Sequence, residues 1–410
     1  MVQDADVIIL GAGAAGIAAA RRLSGAGLSV TILEALPRSG GRAYTSLAAG
    51  LRLDLGCGWL HSADRNPWTE IAVEAGLSVD RSPPAWGTQF RNLGFSPPEQ
   101  QAARGAYAAW YQRISERSPE SDSASDALED GEWTGYIEAL SGFTSGDGLE
   151  RISVRDYLSY DEASSHIDYR IREGYGTLVS SAIPAKAELF LATPVEAVSV
   201  ADRKVGLTTA FGTINAERVV VTCSTNILAG DTIRWPSGLD PWRNAAASLP
   251  LGYNEKLFLE VSGSSPFEAE TLVLGDPRDA RTGAYYIRPF GWPVIECFLG
   301  GASAKEAVDA GPDIAFAGAI GELAHLFGFE VRNNLRPLVC SNWTSTPSVG
   351  GAYSHALPGQ SDARRQLARS FDGRIFFAGE ATDPRDFSTA HGAFQSGLRA
   401  ADEVLSSVHA

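Results

Sequence analysis

Residues 5–35 read ADVIILGAGAAGIAAARRLSGAGLSVTILEA, and their order decides the fold. The segment reads as strand, glycine turn, helix, turn, strand. Val7 to Leu10 is continuously apolar, as expected of a strand covered on both faces. Gly11, Gly13 and Gly16 follow directly as GxGxxG. In this pattern the first glycine makes the tight turn, the second lets backbone approach a pyrophosphate, and the third lets helix pack on strand. The helix N-terminus then offers free N–H groups to the anion. Glu34 ends the second strand at the spacing of about 20 residues, where a carboxylate accepts hydrogen bonds from an adenosine ribose, and an acid there favours an unphosphorylated ribose. Strand before, helix after and acid on schedule make this a dinucleotide site of Rossmann type. The unit serves FAD and NAD alike.

The rest of the composition narrows the class. A chain of 410 residues with 44% hydrophobic content has room for two or three domains, and the fold class expected is α/β. A net charge of −15 argues against a nucleic acid partner and against an anionic membrane surface. Cys57, Cys223, Cys297 and Cys340 are far apart, with no CxxC and no histidine at metal-ligand spacing, so they read as reduced core residues of a cytoplasmic protein. The start, MVQDADVIIL, places acidic residues before a brief apolar run and fits neither a signal peptide nor a membrane span.

Further motifs sit near the two ends. RSGGR, Arg38 to Arg42, puts a glycine pair and an arginine just past the ribose acid, and the planar guanidinium fork suits phosphate oxygens. LDLGCGWLHSADRNPW spans Leu53 to Trp68, and WTSTPSVGGAYS spans Trp343 to Ser354. Near the C-terminus, RIFFA from Arg374 reads as a buried strand, GEATDPRDFSTAHGAFQSG follows, and apolar residues recur at helical spacing from Ala390 through Leu405. Small residues at Gly392, Ala393, Ser396, Gly397 and Ala400 leave that helix open to close approach by a backbone or a ligand.

Together these motifs resemble the flavin-dependent amine oxidases, the kin of monoamine oxidases, polyamine oxidases and the lysine-specific histone demethylase. WLHS with NP is closest to the WIHG and NP pattern of the polyamine oxidase branch, and GEA with TAHGA is similar to the family's GEA and TVHGA signature. The match is clear over roughly the first and last 70 residues and thins between them.

The resemblance implies a two-domain flavoprotein: a discontinuous FAD-binding domain at 1–76, 173–244 and 343–410, and a substrate domain of mixed sheet and helices at 77–172 and 245–342. It implies noncovalent FAD, because Ala352 occupies the place of the flavin-bonded cysteine of monoamine oxidases. Implied cofactor contacts are Gly11, Gly13, Ala15, Gly16, Glu34 and Ala35 in the first unit, and Gly41, Arg42, Gly58 and Trp59 after it. Val195, in TPV, would meet the adenine end, and Trp343, Gly379, Glu380, Thr389 and Ala390 would close the site. The helix beginning near Ala390 would aim its N–H groups at the flavin's pyrimidine edge. Lys256, one cation in the alternating PLGYNEKLFLEV, matches the lysine that assists oxygen's reaction with reduced flavin. Tyr353 matches the aromatic that faces the flavin, while Thr389 stands where monoamine oxidases place a second tyrosine. His61 would meet substrate nitrogen, and His391 is read as structural.

The implied reaction takes a small primary or secondary amine to an imine, then an aldehyde or ketone, with O2 reduced to hydrogen peroxide. The rival readings are a carbon-carbon desaturase or oxidase of the same superfamily and a flavin-binding regulatory protein. Between the motifs, LFLATPVEAVSV, the turn ADRK, VGLTTAFGT and INAERVVVTC read as successive strands, and Glu116 to Trp133 reads as an exposed, acidic loop or lid.

Overall fold

The computed structural model describes residues 4–201 and 204–408. Strand Ala5–Leu10 lies inside a seven-stranded sheet, parallel to Val30–Leu33 on one side and to Gly212–Val221 on the other. Its residues alternate between two cores: Val7 and Ile9 face one, Ile8 and Leu10 the other. That is why the run is apolar throughout. The strand Gly212–Val221 is long enough to take two neighbours along its other edge. Lys204–Thr209 pairs antiparallel beside its first half, and Ile375–Phe377 pairs parallel beside its last three residues. Glu188–Phe190 extends the sheet beyond Val30–Leu33, and Val195–Ala201 closes the opposite edge.

The expected strand through LFLATPVEAVSV is thus two strands, interrupted at Pro194, which has no N–H for a ladder. The next break falls at Ala210 and Phe211 rather than after Thr213. Asp202 and Arg203 of the expected turn lie outside the described residues.

Helix Ala14–Gly25 covers one face of the sheet, and the closing helix Ala390–Val408 packs along it. The packing is close because the residues are small. A Cβ on Gly397 would lie 2.1 Å from the Ala15 carbonyl oxygen, and one on Gly16 would lie 2.0 Å from that of Gly11.

A second, antiparallel sheet has five strands in the order Thr271–Leu274, Ala284–Ile287, Val294–Gly300, Asn254–Val261, Leu335–Cys340. Odd-numbered residues of its first four strands, among them Leu257, Val273, Tyr285 and Cys297, pack under helix Pro312–Phe327. Even-numbered ones face the opposite way. Helices Pro97–Glu116, Thr134–Ser145 and Val154–Ala163 complete this part of the molecule. A small sheet joins Trp59–Leu60, before the boundary expected near 76, to Val79–Asp80 and Tyr169–Ile171 after it.

Most of the acidic stretch is exposed, as expected, but its middle is anchored in the interior. Asp122, Ser123, Ala124 and Ala127 are buried. The Asp122 carboxylate accepts from the Ser153 hydroxyl at 2.5 Å, the Arg155 N–H at 3.0 Å and the Gly359 N–H at 2.8 Å, while Trp110 Nε1 donates to the Ala124 carbonyl. Acid content here supplies internal acceptors as well as solvation.

Candidate functional site

A cavity of about 1230 Å³ runs from the glycine turn of the first sheet to the even-numbered face of the second. Gly11 adopts φ +107°, and a Cβ there would lie 2.5 Å from Thr222 Oγ1. At Gly13 the nearest atom to a Cβ would be Gly41 Cα at 3.9 Å, so a side chain would fill the open cradle. Helix Ala14–Gly25 starts at Gly13 without a side-chain cap. Its first N–H groups therefore face the cavity as anion donors.

At the same end, one Glu34 oxygen accepts from the Ala12 N–H at 2.7 Å and the other from the Leu36 N–H at 2.8 Å. Burial nevertheless pushes this carboxyl above its ordinary pKa. Backbone bonds from Ala192 to Leu36 and from Thr193 to Glu34 draw Val195 to the same wall. Of the residues expected to bind cofactor or substrate, Gly16 alone does not line the cavity; its lack of a side chain serves helix-to-strand packing.

Midway along, Arg42 Nη1 donates to Glu380 at 2.9 Å and to the Ala352 carbonyl at 2.6 Å. Behind them runs a buried chain that the sequence did not announce. Ser354 Oγ donates to Glu380 at 2.6 Å and accepts from Arg364 at 2.9 Å, and Arg364 grips Asp156 through two 2.7 Å bonds. Burial raises Glu380, but Arg42 and Arg364 outweigh it and hold the carboxyl below its ordinary value. Asp156 and Arg364 lie 208 positions apart, and neither falls in a quoted motif.

Lys256 sits on the second sheet with its side chain 10% exposed. Its ammonium pairs with Glu296 at 2.8 Å and donates to the Asp54 carbonyl at 3.3 Å; a Cβ on Gly58 would lie 3.2 Å from it. Glu296 also lines the cavity and went unnoticed in sequence. Tyr353 donates its hydroxyl to the Phe143 carbonyl at 2.5 Å, which fixes the ring, and burial holds the phenol well above its usual pKa. Trp343 is anchored through Nε1 to the Leu55 carbonyl, and Trp59 packs on Trp86 at 4.5 Å. His61 bonds Asp168 through Nδ1 at 2.7 Å.

Thr389, expected to meet substrate, lines the cavity and also caps a helix. Its hydroxyl donates to the Asp386 carbonyl at 2.5 Å and accepts from the Gly392 N–H at 3.0 Å, so it caps the closing helix. His391, in the first turn of that helix, is buried and pairs with Asp386 at 3.2 Å. Gly379, Glu380 and Ala390 line the adjoining wall. Among the described residues no cluster of His, Cys, Asp and Glu could hold a metal ion, and no helix is long and apolar enough to cross a membrane.

An uncapped helix start, an open Gly13, the Glu34 carboxylate beside them and an arginine partway along fit a dinucleotide, in a cavity that extends to Lys256 and Tyr353. Comparison with known proteins agrees. Residues 14–97 and 88–405 match the family described as flavin containing amine oxidoreductase. The chain is 26% identical, over 98% of its length, to lysine-specific histone demethylase 1 homolog 2 of Oryza sativa subsp. japonica, and spans only 57% of that relative. It is 26% identical to probable polyamine oxidase 4 of Arabidopsis thaliana, with 96% of this chain and 86% of the relative covered. The structure of cyclohexylamine oxidase from Brevibacterium oxydans IH-35A shares the fold, with a TM-score of 0.75 at 20% identity, covering 99% of this chain and all of that one.

Proposed function

The chain belongs to the flavin containing amine oxidoreductase family, and on that premise we propose that it oxidises a small primary or secondary amine to an imine, with O2 reduced to hydrogen peroxide. The imine then hydrolyses to an aldehyde or ketone. One observation carries this reading: Lys256 and Tyr353 line the same cavity as the Gly11 to Gly13 cradle. When bound, FAD supplies the two-electron acceptor for the amine's C–H bond and the route of those electrons to O2.

The protein's part is binding, orientation and electrostatics. The N–H groups at the start of helix Ala14–Gly25, with Arg42, hold the pyrophosphate, and Glu34 accepts from the ribose. Ala15, Ala35, Gly41 and Val195 close around that half; Gly58, Trp59, Trp343, Gly379, Glu380, Thr389 and Ala390 close around the other. The first turn of helix Ala390–Val408 presents N–H dipoles to an electron-rich ring edge. Lys256 keeps a positive charge in a low-dielectric wall, where oxygen reduction develops negative charge.

Tyr353 offers a fixed aromatic face to the amine nitrogen. His61, with Nδ1 donating to Asp168, leaves Nε2 to accept a hydrogen bond from the arriving ammonium. Noncovalent attachment is supported by Ala352, which has no thiol, and by the two cavity thiols, Cys57 and Cys223, each of whose pKa burial pushes up to about 12. The four free cysteines support a cytoplasmic setting.

A peroxide-coupled screen across monoamines, diamines, polyamines and amino acids tests the function. Turnover of at least one class is expected. Silence across all of them, from protein that carries FAD, would overturn it in favour of carbon-carbon oxidation.

A further inference from the structure

The even-numbered residues of the second sheet form two rows across the cavity wall. Register pairs Lys256 with Phe298, Phe298 with Ala284, and Ala284 with Leu274. The adjoining row runs Glu296, Tyr286, Leu272. All seven line the cavity. Ala284 is the one small residue among them, so the wall is indented between Phe298 and Leu274. Helix Thr134–Ser145 supplies further lining from Tyr136, Leu140 and Phe143, and the Phe143 ring stands 5.8 Å from that of Phe298.

The charges on these two elements are already matched. Glu296 is their one lining carboxylate, and it is paired with Lys256. Arg104, also on the cavity wall, acts on Tyr136 and adds positive charge there. Asp161 and Asp168 line the same cavity from the segment 161–168, where Asp161 accepts from the Tyr111 hydroxyl at 2.5 Å and Asp168 bonds His61 at 2.7 Å. A second ammonium directed at the Ala284 indentation would lose its hydration without gaining an unpaired carboxylate on the sheet or on the helix that faces it. A flat apolar ring would gain contact with Phe298, Phe143 and Leu274.

We infer that the indentation over Ala284 receives the ring of an aromatic or alicyclic monoamine, and that Ala284 sets the size of group accepted. This deepens the amine oxidase reading and rests on it.

The test uses the FAD-bound enzyme and two readouts, so that the two claims fail separately. Calorimetry on dithionite-reduced enzyme measures binding without turnover, comparing 2-phenylethylamine with putrescine and spermidine. Steady-state kinetics on the oxidised enzyme uses the same amines. Binding of 2-phenylethylamine is expected to be at least about tenfold tighter than that of either polyamine. Ala284→Leu should weaken it by at least about tenfold and raise KM more than it lowers kcat; Ala284→Val should do so by less. Melting curves and the flavin spectrum establish that each variant is folded. Tighter binding of putrescine or spermidine, or an unchanged affinity for 2-phenylethylamine in both folded variants, would overturn the inference. Turnover of no amine at all would instead count against the amine oxidase reading.

Discussion

At the scale of single residues, the sequence showed positions of unusual chemistry but not what they pair with. Lys256 stood out as a cation in an apolar strand, yet its carboxylate partner lies forty positions later, in an ordinary alternating strand, and only the sheet register joins them. Lys256→Met should slow reoxidation of reduced flavin by O2 at least about tenfold, because the wall would lose the charge that faces developing anion and would keep an unpaired Glu296. Stopped-flow mixing of reduced enzyme with O2 measures this; an unchanged rate removes the proposed role.

Arg364 and Asp156 were invisible for the same reason. Both are almost fully buried, at 1% and 4% side-chain exposure, so Arg364→Ala should cost about 3–5 kcal/mol by stranding the carboxylate. The double change Arg364→Met with Asp156→Leu should recover part of that loss in urea unfolding. A single variant no less stable than the double would show that the pair carries no such penalty.

Glu380 gives the pH dependence a sign. Its folded-state pKa lies below the ordinary 4.5, so in acid the unfolded chain binds more protons than the folded one. Its stabilisation is present at neutral pH and is lost as pH falls below about 4.5. Melting temperature should fall more steeply with acidification in the native protein than in Glu380→Gln, and equal slopes would contradict the assignment.

At the scale of elements, periodicity and turn chemistry were legible wherever one face of an element meets one environment. The first strand, the first helix and the closing helix all read directly from their residues. The failures are local. Pro194 divided a segment that looked like one strand, and within the acid-rich 116–133 stretch one carboxylate, Asp122, is buried where composition alone assigns it to solvent. The small residues of helix Ala390–Val408 posed a choice between backbone and ligand, and the structure uses both: Gly397 meets the Ala15 carbonyl, while Ala390 and Ala393 line the cavity. Gly397→Val should therefore destabilise the protein by about 1–3 kcal/mol or more through overpacking, and should weaken FAD retention, since Ala15 belongs to the cradle. Equilibrium unfolding and the FAD-to-protein absorbance ratio check both; a variant with native stability and full FAD would show that the helices are not held at that distance.

At the scale of the whole molecule, the glycine-turn end of the cavity was more legible in the sequence than its far wall. Motif residues such as Gly11, Gly13 and Glu34 act through backbone and spacing, which a single sequence displays. The far wall is built by register across four strands from Asn254 to Gly300, with further lining from a helix at 134–145, and no local pattern encodes that juxtaposition. The central claim is that this one cavity joins a dinucleotide cradle to an amine pocket. It is tested most directly by adding an amine to the purified FAD-bound protein without oxygen and following the flavin's visible absorbance. The account predicts bleaching by at least one amine, with return of the colour and about one equivalent of hydrogen peroxide when O2 is admitted. Absorbance that stays unchanged with every class of amine, in protein that still holds its FAD, would contradict it.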